Sequence, residues 1–169
     1  MRIAQGVEWA AHACALLAAL PEGWSLSGSA LAAFHDLPGP YMAKTLQALS
    51  RAGILSGGRG VQGGYRLARA ATSITLLDVE HAVLGDEVRF ECRNIRSRGP
   101  CAVDADRRVA CEIACAFWAA EKAYRDVLSA TTIIDVTRSV AARRRNLGDT
   151  GVEEWLRAHA ARPRAAVGL

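Results

Sequence analysis

The stretch that most limits what this chain can fold into is residues 27–67. Ser27-Gly28-Ser29 offers a cap for a helix carrying Ala30, Leu31 and Phe34, which ends near Asp36. Leu37-Pro38-Gly39-Pro40 then forces a turn, and Pro40 suits a first helical position of a second helix predicted over 40–51. Met42, Leu46 and Leu49 of that helix face inward, while Tyr41, Lys44, Thr45 and Gln47 face away. Gly53 ends it, and Ile54-Leu55-Ser56 starts a short strand. Gly57, Gly58, Gly60, Gly63 and Gly64 frame a tip containing Arg59 and Gln62, and Tyr65-Arg66-Leu67 is the return strand. Helix, tight turn, helix and β-hairpin is the layout of a winged helix. The glycines permit positive φ and a close approach of backbone to phosphate. A nucleotide-binding phosphate loop is excluded, because no GK[ST] follows and no βαβ unit surrounds the glycines.

A second stretch, residues 92–115, holds four of the chain's five cysteines: Cys92, Cys101, Cys111 and Cys115. Their meaning depends on compartment. No apolar run approaches the roughly 20 residues that span a bilayer, and the N-terminal apolar residues are periodic and interrupted by Glu8 and His12. A cytoplasmic protein without a membrane partner is the expectation. In a reducing compartment such a cluster points to metal binding or redox sensing rather than a disulfide framework. Cys14, alone in a helical pattern, reads as a small buried hydrophobe. Hydrophobic residues make up 51% of the chain, enough for a real core. Residues 1–70 hold six basic groups against three acidic, whereas 71–169 hold 15 against 14. The modest basic excess therefore sits with the winged-helix pattern, which fits nucleic-acid binding.

Around these two stretches the rest is mainly helical. Residues 3–19 carry an apolar face of Ile3, Val7, Ala10, Cys14, Leu17 and Ala18, with Glu8 and His12 projecting together from another side at i, i+4. That pair is either a solvated surface couple or two metal ligands. Thr75 and Asp78 have the spacing of a capping box for a helix ending near Leu84, closed by Gly85. Residues 86–110 lack periodicity and contain the break Gly99-Pro100, as functional or disordered segments do. A helix follows from about 111 to 129, in which Ile113, Phe117, Ala120, Tyr124, Val127 and Thr131 form a coiled-coil-like stripe that favours dimerisation. Glu121–Arg125 and Lys122–Asp126 are i, i+4 pairs outside it. Further capping boxes are predicted at Thr132–Asp135 and Thr150–Glu153, the latter opening a short helix with Trp155, and the tail from Arg162 reads as disordered. The expected fold class is mainly α with a small β-hairpin wing, a winged helix-turn-helix plus a long dimerisation helix. Its expected divisions are 1–85 (winged helix), 86–110 (cofactor loop), 111–142 (dimerisation helix and the helix after it) and 143–169 (C-terminal extension).

This order resembles the Rrf-type family of bacterial winged-helix regulators typified by IscR, NsrR and RsrR. The resemblance covers residues 1 to about 142. It rests on Y-M-A-K-T-L-Q-A-L-S-R-A-G-I-L (41–55), R-G-V-Q-G-G-Y-R-L (59–67), I-T-L-L-D-V (74–79), the cysteine loop and A-T-T-I-I-D-V (130–136). G-V-E-W-A-x-H at 6–12, I-R-x-R-G-P at 95–100 and A-C-x-I-A at 110–114 are most similar to the RsrR branch. The resemblance implies a homodimer that binds palindromic promoter DNA and senses redox or related stress through a 2Fe-2S cluster. In that branch two cysteines of one subunit and a glutamate and a histidine from the other subunit's first helix hold the cluster. On this chain these map onto Cys92, Cys111, Glu8 and His12. A further branch cysteine is replaced by Arg107, with Cys101 as its candidate stand-in, and Cys115 is a reserve ligand. Cysteine spacings of eight, nine and three intervening residues depart from the closer spacing of common members.

For DNA, Tyr41, Lys44, Thr45 and Gln47 are the candidates for the major groove or its flanking phosphates, and Arg59 and Gln62 for the wing. The two recognition helices of a dimer would sit roughly 34 Å apart. The alternatives are a cluster-free regulator switched by cysteine disulfides, a structural zinc site, an iron–sulfur oxidoreductase and a cluster-binding adaptor. Zinc is disfavoured by the lack of C-x2-C knuckles. No catalytic constellation accompanies His35 or His81, so an enzyme is not expected.

Overall fold

A computed structural model describes residues 4–57, 64–86, 90–98, 100, 102 and 111–163. Arg59, Gln62 and Cys101 lie outside the described residues. Helices α1 (Gln5–Ala18), α2 (Gly28–Phe34) and α3 (Gly39–Arg51) lead into a hairpin of β1 (Leu55–Gly57) and β2 (Tyr65–Leu67). Next come α4 (Leu76–Leu84), the long α5 (Glu112–Ala130), α6 (Ile133–Asn146) and α7 (Gly151–His159). Short 3-10 turns occur at Ala71–Ser73 and Ile95–Ser97. The mainly α fold with a small wing is as the periodicities require. Among the described residues no helix is long and apolar enough to cross a membrane.

Local chemistry explains the boundaries. The Ser27 hydroxyl accepts from the Ala30 amide at 3.0 Å and opens α2. Pro40 occupies the first turn of α3, where its missing amide hydrogen leaves no bond unmade. Thr75 and Asp78 form a reciprocal capping box, as do Thr132 and Asp135. These two helix starts lie side by side. The Leu76 amide donates to the Thr131 carbonyl at 2.9 Å and the Ile133 amide to the Ile74 carbonyl at 2.8 Å, so each box braces the other. The predicted third box does not form. The Thr150 hydroxyl instead donates to Glu154 at 2.8 Å, and Asp149 accepts from the Gly151 amide at 2.9 Å.

β1 and β2 pair antiparallel with Leu55 opposite Leu67 and Gly57 opposite Tyr65. Leu26 adds a third edge by pairing with Tyr65. This contact explains Gly64, where a Cβ would lie 2.7 Å from the Ser25 hydroxyl and 2.9 Å from the Leu26 carbonyl. What approaches this glycine's backbone is another strand of the chain.

The core draws Cys14 and Leu17 from α1, Leu31 from α2 and Met42, Leu46 and Leu49 from α3, each buried. Burying one such leucine stabilises the fold by about 1.5–3 kcal/mol relative to leaving it exposed. The core does not stop at residue 85, since Ile133 of α6 and Leu156 of α7 belong to the same cluster. α6 lies along α1, with the Thr137 hydroxyl 3.3 Å from the Ala15 carbonyl. Nor do residues 162 and 163 trail away: Arg162 places its guanidinium 5.2 Å from the centre of the Trp24 ring.

Candidate functional site

The candidate surface for nucleic acid is the outer face of α3. The turn at residues 37–39 presents the first turns of this helix outward, and burial of Met42, Leu46 and Leu49 turns Lys44 and Gln47 to solvent. Tyr41 is 58% exposed. Thr45 departs from the expected outward set, being only 6% exposed. Its hydroxyl donates to the Tyr41 carbonyl one turn back at 3.1 Å, so it enters the protein without leaving a polar group unpaired. Thr45 is therefore a packing residue of α3 and not a contact surface. The proposed wing-tip residues Arg59 and Gln62 lie outside the described residues; the described base of the wing adds exposed Arg66.

The second cluster of candidates starts on α1. Glu8 and His12 are both exposed, one turn apart. Among the described residues Glu8 has no hydrogen-bond or ion-pair partner, leaving its carboxylate available to an external cation. His12 touches one ring, that of His35 at the end of α2, with centroids 5.4 Å apart. His35 carries a buried Nε2 that finds no hydrogen-bond partner among the described residues. Burial, and after it repulsion from the nearby His12, holds the His35 imidazole below its ordinary pKa.

Two of the thiols lie at the start of α5. Cys111 is the helix N-cap residue and Cys115 follows one turn on, its amide donating to the Cys111 carbonyl at 2.9 Å. Cys115 is exposed, Cys111 and Cys92 are half-buried, and all three are free thiols. Cys101 is outside the described residues. Cys14 is buried as expected, and burial pushes its thiol up to about 12. A donor set of accessible thiols, one carboxylate and one imidazole suits iron of borderline softness, thiolate on one side and nitrogen or oxygen on the other. Among the described residues of one chain, however, no three His, Cys, Asp or Glu side chains converge on a metal position. The structure places Glu8 and His12 one turn apart on α1 and Cys111 and Cys115 one turn apart at the start of α5; among the described residues of one chain no group of three ligands joins the two pairs.

Two contacts bear on this site without having been legible in the chain. Trp9, next to Glu8, meets the Tyr41 ring edge-on at 5.9 Å and so ties α1 to the start of α3. Phe90, just before Cys92, stacks on Phe117 of α5 at 4.7 Å. The aromatic residues themselves were the available signal, but their partners lie far along the chain.

On α5 the expected stripe is in place and largely bare. Ile113 is 65% exposed, Phe117 52% and Val127 64%, whereas Ala114 is the buried residue of this helix. Tyr124 of the stripe turns inward, its hydroxyl donating to buried Glu80 at 2.6 Å. Lys122 pairs with Asp126 at 2.6 Å, and Arg125 reaches back to Asp86 at 3.1 Å.

Comparison with known proteins fits this architecture. The family model Rrf2, described as an iron-dependent transcriptional regulator, matches residues 3–139. A protein of Synechocystis named as an HTH-type transcriptional regulator is 47% identical over 60 residues, 36% of this chain and 41% of its own. YwgB of Bacillus subtilis, of the same description, is 33% identical over 85 residues, 50% of this chain and 54% of its own. The chain thus spans about half the length of these curated relatives or less. Oxidized CymR of Staphylococcus aureus superposes with a TM-score of 0.62 at 22% identity, over 81% of this chain and 96% of that one. IscR of T. potens does so with a TM-score of 0.62 at 20% identity, over 83% and 88%. At such identities these two carry the fold alone. The family and the named relatives are regulators of transcription, not enzymes. With the family model spanning most of its length over a winged helix-turn-helix, this chain belongs to the Rrf2 family of transcriptional regulators.

Proposed function

We propose that the protein is a homodimeric transcriptional regulator that binds palindromic promoter DNA and senses redox or related stress through a 2Fe-2S cluster, as in the RsrR branch that its motifs resemble. Glu8 and His12 of one subunit would hold the cluster together with two loop cysteines of the other, Cys92 and Cys111 first, with Cys101 and Cys115 in reserve. The observation that carries this reading is the placement of Glu8 and His12. Two good ligands stand exposed and one turn apart on α1, and Glu8 has no polar partner on its own chain among the described residues. The bare stripe of α5 supports the dimer, since apolar residues such as Ile113 and Val127 are ordinarily covered. When bound, the cluster would supply a reversible one-electron redox change, whose potential ligation by histidine or carboxylate shifts. This chain's own residues supply the link to DNA. α1 carries both ligands, and Trp9 and His12 on it touch Tyr41 of α3 and His35 of α2. A shift of α1 is thereby felt by both helices of the helix-turn-helix.

Anaerobic purification followed by visible spectroscopy and iron and sulfide analysis tests the reading. Absorption in the region of about 400–500 nm with about two iron and two sulfide per subunit is expected, and Glu8→Ala or His12→Ala should alter that spectrum. A second reading rests on Cys111 and Cys115, two accessible thiols one helical turn apart. They suit a cluster-free disulfide switch. Colourless, iron-free protein that still binds DNA would favour that switch.

A further inference from the structure

The family match stops at residue 139, yet the described residues beyond it are built into the winged helix. Leu156 of α7 is buried in the main core. Beside it, Trp155 meets Phe34 of α2 edge-on at 4.7 Å and is backed by the stacked His159 ring at 4.2 Å. Past the helix, Ala161 exchanges two backbone hydrogen bonds with Ser25, at 3.0 and 2.8 Å. The next residue of that segment, Leu26, pairs in turn with Tyr65 of β2. Arg162 covers the Trp24 ring, and Pro163 sits so near Gly23 that a Cβ there would lie 3.2 Å from it.

We propose that residues 150–163 form a positioning strap that holds α2 and the base of the wing in the orientation used on DNA. The elements it grips are ones that need holding. α2 is seven residues long and buries Leu31 and Ala32, and short helices depend on tertiary packing for their stability. The wing strands have three residues each, and an isolated two-stranded hairpin is marginal in water. The strap answers both weaknesses, through Trp155 against Phe34 and through Ala161 against Ser25. The ring contacts continue from Phe34 to His35 at 4.9 Å and from His35 to His12 at 5.4 Å. The strap thus shares a run of contacts with the helix that carries the candidate ligands. Its positional role stands on the geometry alone, whereas its effect on DNA rests on the regulator reading above.

Two full-length variants test it by different routes. Trp155→Ala removes the ring contact. Ala161→Pro removes the amide that donates to Ser25, and Ala160 already has the extended backbone (φ −82°, ψ 137°) that a residue before proline prefers. Amide exchange read by mass spectrometry should accelerate about tenfold or more in residues 24–34, with α5 unchanged. Binding to a duplex selected from a random pool by the native protein should weaken about tenfold. Should Trp155→Ala fail to fold, Ala161→Pro decides. Unchanged exchange in residues 24–34 of the folded variants overturns the strap. Faster exchange with undiminished DNA affinity overturns its role on DNA. If the native protein retains no duplex, the regulator reading fails and the exchange result still judges the strap.

Discussion

The five cysteines do not share one chemistry, because burial separates them. Cys14 sits in the apolar face of α1, fully buried, and desolvation of its thiolate pushes its pKa up to about 12. It stays a protonated thiol at any physiological pH and is a poor nucleophile. Cys115 projects into solvent at the start of α5. Treating the folded, reduced and iron-free protein with iodoacetamide near pH 8 should therefore modify Cys115 early and leave Cys14 intact until denaturant is added, as peptide mapping would read. Equal labelling of the two would contradict the packing of α1. The inert role of Cys14 was legible in the chain, because it falls in register with Val7, Ala10 and Leu17. The burial of Thr45 was not. Its hydroxyl satisfies itself on the Tyr41 carbonyl, and a helical pattern that counts threonine as polar places it on the wrong side.

Helix starts were more readable than helix faces, because a cap is a local arrangement of a few residues. The boxes at Thr75 and Thr132 form as their spacing requires; the one at Thr150 does not, since Thr150 lacks the extended backbone of the other two caps (ψ 3°) and its hydroxyl donates to Glu154. The two working boxes carry a pH signature. Burial raises the Asp78 pKa, but hydrogen bonds from the Thr75 amide, Arg69 and the Thr75 hydroxyl outweigh it and leave the carboxyl below its ordinary value of 3.8. At Asp135 the Thr132 hydroxyl and then the Thr132 amide lower it likewise. A carboxyl depressed in the folded state binds fewer protons there than in the unfolded chain. Its stabilisation is full above the unfolded value and is lost as pH falls from about 4 through the folded value. Thr75→Ala should cost about 0.5–2 kcal/mol at neutral pH. Asp78→Asn should lower the melting temperature at pH 7, with its deficit against the native protein shrinking below about pH 4. A deficit independent of pH would mean that the charge of Asp78 contributes nothing. The outer face of α3 yields a separate expectation. If exposed Lys44 contacts a phosphate, Lys44→Ala weakens binding across sequences and flattens the salt dependence, by about 0.9 in the log–log slope for one contact. An unchanged slope would remove Lys44 from the interface.

At the scale of the molecule, the winged helix and the long α5 were legible because periodicity and glycine placement are properties of the chain itself. A shared site is not. Glu8 and His12 stand on α1 and Cys111 and Cys115 at the start of α5, and among the described residues of one chain no three such ligands meet. Sequence order carries no trace of which subunit completes a site; the proposal of a site shared between subunits rests on the family resemblance. The arrangement makes a prediction that turns on symmetry. Let one protomer carry Glu8→Ala with His12→Ala, and let its partner carry Cys111→Ser. If a site takes its cysteines from one subunit and its Glu–His pair from the other, the mixed dimer holds one intact site and one that has lost both halves. If each site lies within one chain, both sites are damaged and neither is whole. Co-expression with two affinity tags isolates the mixed dimer, and iron, sulfide and visible absorption then count the clusters. Shared sites give about half the native content per dimer, although either variant homodimer alone is deficient. A mixed dimer as empty as its parents would return Glu8 and His12 to an exposed pair on a helix surface.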